Sequence, residues 1–205
     1  MTASSGGDMS PYKNKLDHKV IYDLIESGAK VLDLGCGNGD LLDLLVRGKK
    51  IKAQGVELSN DAIHACVEKG LSVFHSDIDS GLPYYPNQSF DYVILNQSLQ
   101  EVKKVETVIE ESLRVGKKVI VGFPNFAYFH DRLLLFFGGK APVSPSLPHE
   151  WYRTPNLRFL SVKDFRKFCV QKSYKVLESR FLGKKTLVWG LPNLFAANAI
   201  FVITK

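Results

Sequence analysis

Lys30-Val-Leu-Asp-Leu-Gly-Cys-Gly-Asn-Gly-Asp40 is the most informative segment of this chain. A short apolar strand runs into three glycines at alternate positions, and a helical pattern begins directly after them, at Leu41. Glycines in a turn between a strand and a helix let backbone N–H groups approach a ligand that side chains would otherwise block. We therefore predict a ligand-binding turn at the carboxyl end of a buried strand.

The acidic residue Glu57 follows 18 positions after Gly39, at the end of a second strand predicted for 51–58. In α/β folds that bind nucleosides, an acid in this place accepts hydrogen bonds from the ribose hydroxyls. The glycine turn and the acid together predict a nucleoside cofactor. Dinucleotide binders carry G-x-G-x-x-G, whereas this turn is G-x-G-x-G and has Asp40 in the place of the last glycine. NAD is therefore the weaker alternative.

Strand and helix patterns alternate along most of the chain. Apolar runs predict the strands, and helices are indicated by apolar spacing, glycine stops and a capping box at Ser161–Asp164. This alternation predicts an α/β protein with a mostly parallel seven-stranded sheet and helices on both faces. The further predicted elements are helices at 16–27, 60–69, 105–113 and 161–171, strands at 71–76, 90–95 and 117–123, and closing strands at 175–181 and 199–204, which can pair as a hairpin at one sheet edge.

Several polar residues and glycines fall at the predicted ends of strands. Parallel sheets of this type bind ligands at the carboxyl ends of their strands. The glycine turn, Glu57, Asp77 and Asn96 all occupy such positions, and we expect them to converge on one cleft. As alternatives, Asp77 could cap a helix and Asn96 could be a turn residue.

Length and composition suit one globular domain. The chain has 205 residues, of which 45% are apolar, which is enough for a full core. We predict a disordered tail at 1–15 and a single domain at 16–205. The tail has neither the basic start nor the apolar core of a signal peptide. The longest apolar stretch, 187–203, contains Gly190 and Pro192 and does not suit a membrane helix. We predict a cytoplasmic protein that does not bind a membrane.

The net charge of +6 raises the question of a nucleic-acid partner. The lysines are spread in pairs along the chain, whereas proteins that track phosphates concentrate theirs on one face or tail. We predict no nucleic-acid partner. The three cysteines form no Cys-x-x-Cys pair and the five histidines have no metal-ligand spacing, so we also predict neither a disulfide framework nor a metal site.

The motif at 31–39 resembles the signature of class I S-adenosylmethionine (SAM) methyltransferases. The resemblance implies a Rossmann-like fold and SAM or S-adenosylhomocysteine (SAH) as cofactor. It implies that the glycine turn borders the methionine part of the cofactor, that Glu57 holds both ribose hydroxyls, and that the ends of the third and fourth strands meet the adenine and the methyl group. The predicted cofactor-binding residues are Asp33, Gly35, Cys36, Gly37, Asn38, Gly39, Glu57, Leu58, Asp77, Ile78, Asn96 and Gln97.

Four further blocks resemble a narrower family, the methionine-biosynthesis protein MetW. They are Asp77-Ile-Asp-Ser-Gly-Leu82, Phe90-Asp-Tyr-Val-Ile-Leu-Asn-Gln-Ser-Leu-Gln100, Val121-Gly-Phe-Pro-Asn-Phe126 and Glu150-Trp-Tyr-Arg-Thr-Pro-Asn-Leu157. The resemblance covers about residues 16–205. It implies a role in methionine biosynthesis and homoserine O-acetyltransferase as partner, on a methyltransferase fold without a settled methyl acceptor.

The alternating pattern stops between residues 124 and 156, where aromatic residues and prolines accumulate. A long insertion beside a cleft is frequently functional. We expect a lid, an acceptor pocket or a docking surface, with an aromatic layer that merely caps the sheet as the alternative. Aromatic and arginine side chains anchor interfaces. The candidate substrate or partner surface therefore consists of Phe126, Trp151, Tyr152 and Arg153.

The sequence identifies no catalytic residue. Methyl transfer from a sulfonium needs alignment and exclusion of water more than a base. The fourth strand ends without the Asn/Asp-Pro-Pro-aromatic signature, which disfavours methylation of base amines, and no G-x-S-x-G elbow is present, so the chain is not itself an acyltransferase. Two hypotheses remain: a SAM-binding protein that supports or regulates the acetyltransferase, and a methyltransferase acting on a small molecule.

Overall fold

The computed structural model describes residues 15–205, which contain one seven-stranded sheet. The strands are β1 (Lys30–Leu34), β2 (Lys52–Glu57), β3 (Val73–His75), β4 (Phe90–Asn96), β5 (Gly116–Pro124), β6 (Lys175–Leu182) and β7 (Asn198–Thr204). Their order across the sheet is β3-β2-β1-β4-β5-β7-β6. The first five strands are parallel, and β7 lies antiparallel between β5 and β6.

Seven α-helices connect the strands in the described part of the chain. They are α1 (Leu16–Leu24), α2 (Asp40–Lys49), α3 (Asn60–Glu68), α4 (Val105–Val115), α5 (Phe129–Gly138), α6 (Val162–Gln171) and α7 (Pro192–Phe195), with short 3₁₀ turns at Ile78–Ser80 and Leu99–Glu101. The predicted class is confirmed: an α/β protein with a mostly parallel sheet and helices on both faces. The closing strands pair as predicted, with β6 at the sheet edge.

The central strands are buried on both faces. Val31 and Ile94 pack in one core, under α1 and α2, while their neighbours Leu32 and Val93 pack in the other, under α4 and α6. Successive side chains of a strand point to opposite faces. Burial on both sides explains why β4 is an almost continuous apolar run. With both faces of the sheet covered, ligands have access at the ends of the strands.

Local signals fix several helix ends. At α6 the predicted capping box is present: the Asp164 N–H donates to Ser161 Oγ at 3.2 Å, and the Ser161 N–H donates to Asp164 Oδ2 at 2.9 Å. The first helix ends at Leu24, earlier than the predicted Ser27, because Ile25 takes an extended backbone conformation and is buried in the core. Burial of this side chain prevails over the helical periodicity.

The segment 124–156 contains a helix, α5, that the sequence patterns did not predict. Its sequence, FHDRLLLFFG, has no division into an apolar and a polar face, which is the pattern by which a surface helix is recognised. Asp131 is its one buried residue. Most of the apolar side chains of α5 therefore face outward.

No helix within residues 15–205 is long and apolar enough to cross a membrane, and the longest, α4, has 11 residues. Residues 1–14 of the predicted tail lie outside the described residues. Lys15 is described, and its ammonium lies 3.7 Å from Asp40 Oδ2. The start of α1 is thereby tied to the start of α2.

Candidate functional site

A cleft of about 630 Å³ opens at the carboxyl ends of β1, β2 and β4. This is the edge at which parallel α/β sheets bind ligands. Of the predicted cofactor-binding residues, those that line the cleft are Asp33, Gly35, Cys36, Gly37, Asn38, Glu57, Leu58, Asp77, Ile78, Asn96 and Gln97. Gly39 is the exception. The strand ends therefore bring together nearly the whole predicted set.

The three glycines of the turn have different surroundings. All three have positive φ, at 73° for Gly35, 53° for Gly37 and 78° for Gly39. A Cβ on Gly37 would meet nothing within 4 Å, whereas a Cβ on Gly39 would lie 2.5 Å from Leu71 Cδ1 and 2.8 Å from Cys66 Sγ. Gly37 thus leaves open space at the cleft, while Gly39 allows close packing behind it.

Backbone donors fix the carboxylate of Glu57. The Gly37 N–H donates to Oε2 at 2.8 Å, and the N–H groups of Leu58 and Ser59 donate to Oε1 at 2.8 and 2.9 Å. A carboxylate has about four acceptor positions, so three donors orient it and leave it able to accept from a ligand hydroxyl. The hydrogen bond from the Gly37 N–H also ties the acid of β2 to the glycine turn after β1.

Asp33, at the floor of the cleft, is a buried carboxyl group. Burial, and secondly the negative charge of Glu57, raise its pKa to about 7. Both effects disfavour the charged form. A cationic group in the cleft would act in the opposite sense, since it would stabilise the carboxylate. The floor is therefore suited to a ligand with a positive charge.

The end of β4 presents polar atoms without partners. Asn96 Nδ2 donates to Asp17 Oδ2 at 2.9 Å, yet Asn96 Oδ1 and Ser98 Oγ are buried without a hydrogen-bond partner among residues 15–205. Both side chains line the cleft. Buried polar atoms are nearly always paired. A ligand that offers hydrogen-bonding groups would satisfy this end of the cleft.

Asp77 has two roles at the end of β3. Its Oδ1 accepts from the Asp79 N–H at 2.8 Å and caps the 3₁₀ turn that contains Ile78. It also lines the cleft. The helix-cap alternative is thus correct, and it is compatible with a ligand contact because a cap occupies only part of a carboxylate.

Sequence reasoning missed the contribution of α1 and of the turn after β4. The additional residues that line the cleft include Lys15, Asp17, His18, Ser98, Glu101 and Lys103. Burial lowers the pKa of His18 against the opposing charge of Asp17. These residues precede the glycine motif or follow β4 in turns, where no spacing rule marks them. Only the tertiary fold brings α1 and the turn after β4 together at one cleft.

The predicted substrate or partner surface lies apart from this cleft. Phe126 and Trp151 line a second cavity, of about 410 Å³, whereas Tyr152 and Arg153 do not. Arg153 stacks over the Tyr152 ring at 5.4 Å, and both Trp151 and Tyr152 are exposed. The four residues therefore do not form one pocket.

The two regions are connected through the turn after β4. The N–H groups of Leu157 and Arg158 donate to Gln100 O at 2.8 and 3.0 Å, and the neighbouring Glu101 lines the first cleft. The charge of His149, which lines the second cavity, opposes the rise in the pKa of Glu101. The insertion thus lies against the wall of the cleft.

Comparison with known proteins gives a family and a fold. A family model described as "Methionine biosynthesis protein MetW" matches residues 15–203. A bifunctional methionine biosynthesis protein MetXA/MetW from Rhodopirellula baltica is 35% identical over 203 residues. That match covers 93% of this chain and 33% of the relative, so the chain spans about a third of the relative's length.

Solved structures with the same fold include proteins of different activity. A SAM-dependent methyltransferase from Thermotoga maritima superposes with a TM-score of 0.67 at 20% identity, covering 92% of this chain and 87% of the other. The [4+2]-cyclase SpnF superposes with a TM-score of 0.64 at 19% identity, covering 92% and 80%. At these identities the likeness concerns the fold alone.

Proposed function

The chain belongs to the MetW family of methionine biosynthesis proteins, and from this premise we propose that it is a SAM-binding protein that acts with, or regulates, homoserine O-acetyltransferase. The observation that carries the proposal is the cleft at the strand ends. There a buried acid, a carboxylate oriented by backbone donors and buried polar atoms without partners converge. We further propose that the protein works in the cytoplasm.

The proposed arrangement of the cofactor follows the strand order. Asp77 and Ile78 would hold the adenine, Glu57 would accept hydrogen bonds from the ribose hydroxyls, and the glycine turn and Asp33 would hold the methionine part. The ammonium group of the cofactor supports the ionised form of Asp33, whose burial otherwise favours the neutral acid. The bound cofactor supplies a methyl group on a positively charged sulfur, at the end where Asn96 lies.

The partner is proposed from the family and from the bifunctional relative. In that relative, a region similar to this chain makes up about a third of a protein named MetXA/MetW. Joining two modules in one chain gives each a high effective concentration near the other. We propose that a surface of this chain binds the acetyltransferase. Segment 124–156, with Phe126, Trp151, Tyr152 and Arg153, is the proposed surface.

The test is to purify the acetyltransferase with and without this chain and to measure acetyl transfer and SAM consumption in the same samples. We expect the chain to co-purify and to change acetyl transfer without consuming SAM. A Trp151→Ala, Tyr152→Ala double variant should lose co-purification and still bind SAM. Trp189→Ala is the matched control, because Trp189 is an exposed tryptophan outside the segment.

Binding of SAM and binding of the partner must be coupled reciprocally if the protein regulates the enzyme. The factor by which SAM changes partner affinity equals the factor by which the partner changes SAM affinity. Both factors can be measured by titration calorimetry. A chain that binds the partner with the same affinity at any SAM concentration would contradict regulation, although it would leave a supporting role intact.

The second candidate is a SAM-dependent methyltransferase that acts on a small molecule. The observation in its favour is the apolar cavity lined by Phe126 and Trp151, because the insertion that forms it lies against the wall of the cleft. In that case the Trp151→Ala, Tyr152→Ala variant should keep the partner and lose turnover of a methyl acceptor. The two functions therefore predict opposite results for one variant.

A further inference from the structure

We infer that the cleft selects the positively charged cofactor, SAM, over its uncharged-sulfur counterpart, SAH, and that Glu101 is the carboxylate that interacts with the sulfonium charge. This inference rests on the proposed binding of SAM. Its consequence is that occupancy of the cleft follows the concentration of SAM with little competition from SAH.

The lining of the cleft contains more acidic than basic side chains. Its lysines are Lys15 and Lys103, and its acids are Asp17, Asp33, Asp40, Glu57, Asp77, Asp79 and Glu101. Lys15 is already paired with Asp40, and Lys69 contacts the same carboxylate at 2.7 Å from outside the lining. The pKa of His18 is lowered by burial, so this side chain adds little positive charge at neutral pH. The lining therefore carries a clear excess of negative charge.

The negative charge of Glu57 acts on two other carboxyl groups of the cleft lining, those of Asp33 and Glu101. Burial is the largest cause that raises the pKa of Asp33 and that of Glu101, and the charge of Glu57 raises both pKa values further. His149 acts on Glu101 in the opposite sense, but its effect on the pKa of Glu101 is smaller than that of burial or of Glu57. A cation between the three carboxyl groups would relieve their repulsion.

Glu101 also lies close to the proposed position of the cofactor's sulfur. Neighbouring strands lie about 4.8 Å apart, so the order β3-β2-β1-β4 spreads adenine, ribose and methionine across the sheet. Glu57 at the end of β2 faces the ribose, and Asp33 in β1 lies below the methionine part. Glu101 lies in the turn after β4, on the side of the sulfur. SAM and SAH differ there by one unit of positive charge.

The expected selectivity follows from Coulomb's law. At an effective dielectric constant of about 20 to 40, one carboxylate roughly 7 Å from a unit charge changes affinity by about tenfold or somewhat more. We expect SAM to bind at least about tenfold more tightly than SAH at low salt. Since salt screens exposed charges, the ratio should decrease as the ionic strength rises.

The experiment measures dissociation constants for SAM, SAH and sinefungin by titration calorimetry. Sinefungin carries a C–NH₃⁺ group in place of the sulfonium and cannot donate a methyl group, so it tests charge apart from chemistry. In Glu101→Gln, SAM and sinefungin should bind about tenfold or somewhat more weakly, while SAH binding should change less than twofold. Glu178→Gln is the control, because it removes one negative charge from β6, at the far edge of the sheet.

The outcomes separate this inference from the proposed function. If SAM binds but SAH binds as tightly, or if Glu101→Gln weakens all three ligands equally, the selectivity inference is wrong and the cofactor assignment stands. If none of the three ligands binds the folded wild-type protein, the cofactor assignment fails and the inference fails with it. An unchanged SAM-to-SAH ratio in Glu178→Gln shows that net charge alone is not the cause.

Discussion

The cleft at the strand ends and the insertion at 124–156 depart in opposite ways from the rule that polar groups are exposed and apolar groups buried. In the first region, a carboxyl group is buried: Asp33 lies at the floor with a raised pKa. In the second, apolar side chains are exposed: Phe136 and Phe137 of α5 are 80% and 79% accessible. Both arrangements cost free energy in the isolated chain. Both are explained if another molecule completes the surface, a small cation in one case and an apolar protein surface in the other.

The cleft and the insertion also differ in how their side chains are held. Backbone atoms hold the cleft in place, since the carboxylate of Glu57 accepts three N–H groups, and a preorganised site of this kind suits a small ligand. The outward apolar side chains of α5 are not oriented by backbone hydrogen bonds in this way. They resemble the anchors of protein interfaces, where aromatic residues dominate the energy. The two regions should therefore respond differently to substitution.

The largest expected effect is that of Gly37→Val. The valine side chain would occupy the open space of the cleft, so we expect SAM affinity to fall by at least about a hundredfold. The protein should remain folded, with a loss of about 1–3 kcal/mol from the positive φ. Calorimetry and circular dichroism on the same sample measure both quantities.

Gly39→Val is the matched control for that variant. Its Cβ would collide with Leu71 and Cys66, so overpacking is added to backbone strain and the free energy of unfolding should fall by more than about 3 kcal/mol. If Gly37→Val lost its fold as readily as Gly39→Val, Gly37 would serve the fold rather than the ligand.

These two glycines also show how far sequence reasoning could reach. The turn, both flanking strands and the acid of β2 are local patterns, and they predicted the fold. Of the twelve residues predicted to bind a cofactor, partly from the family resemblance, eleven line the cleft. The sequence could not separate Gly37 from Gly39, because the motif treats them alike. What separates them is Leu71 and Cys66, which reach the turn only through tertiary packing.

Replacement of Glu57 by Ala should have the next largest effect. The ribose hydroxyls would lose a charged acceptor worth about 1.5–3 kcal/mol per hydrogen bond, so SAM affinity should fall by at least about tenfold. Three backbone N–H groups would also lose their partner, so a modest loss of stability should accompany it. Glu57→Gln, which keeps one oxygen acceptor, should lie between the wild type and Glu57→Ala.

Glu68→Ala provides the comparison for Glu57→Ala, because Glu68 is an exposed acid at the end of α3. Its removal should leave SAM affinity unchanged within about twofold. Equal SAM affinity in Glu57→Ala and in the wild type would remove the ribose contact from the proposal.

SAM affinity should depend on pH through Asp33, with a smaller effect. The pKa of Asp33 in the free protein is about 7, and only its ionised form attracts the ammonium of the cofactor. Affinity should therefore rise as pH increases from 6 to 8, by somewhat less than about tenfold. The Asp33→Asn variant should bind SAM weakly, and its SAM affinity should change less with pH. Calorimetry at several pH values tests the difference between the two proteins.

The raised pKa of Asp33 also makes the stability of the fold depend on pH. This stability should fall as pH rises, whereas SAM affinity should rise. Between pH 3.8, the ordinary value for Asp, and about 7, folded Asp33 binds a proton that the unfolded chain has released. Stability contributed by Asp33 is therefore full at low pH and falls as pH rises through that range, by at most about 4 kcal/mol. Without SAM, Asp33→Asn should melt higher than the wild type at pH 8. A lower melting temperature would show that the carboxylate stabilises the fold.

The residues that sequence reasoning missed share a physical cause. Asp17 and His18 lie on α1, before the glycine motif, as polar residues of an amphipathic helix, and no sequence pattern marks His18 as buried. Only the strand order and the hydrogen bond from Asn96 to Asp17 bring α1 over the cleft. Helix α5 was missed for the reverse reason. Sequence patterns assume that each helix divides its apolar and polar residues within one chain, and a helix whose partner is another protein need not do so.

The smallest expected effect on the isolated protein is that of Phe136→Ser, Phe137→Ser in α5. Both rings are largely exposed, so their loss removes little buried surface and should change the free energy of unfolding by less than about 0.5 kcal/mol per site. Phe123→Ser is the contrast. That ring is fully buried between Phe165 and Phe201, and its removal should cost at least about 3–5 kcal/mol.

The Phe136→Ser, Phe137→Ser variant tests whether α5 binds the partner. If the exposed rings contact the acetyltransferase, the variant should retain SAM binding and its melting temperature while its affinity for the partner falls by at least tenfold, as expected for loss of two aromatic anchors worth about 1–2 kcal/mol each. Calorimetry with the purified acetyltransferase measures this directly. Unchanged partner affinity, together with unchanged stability, would restrict the docking surface to Trp151 and Tyr152. A large loss of stability would instead show that α5 packs in the isolated chain, and the contrast with the cleft would fail.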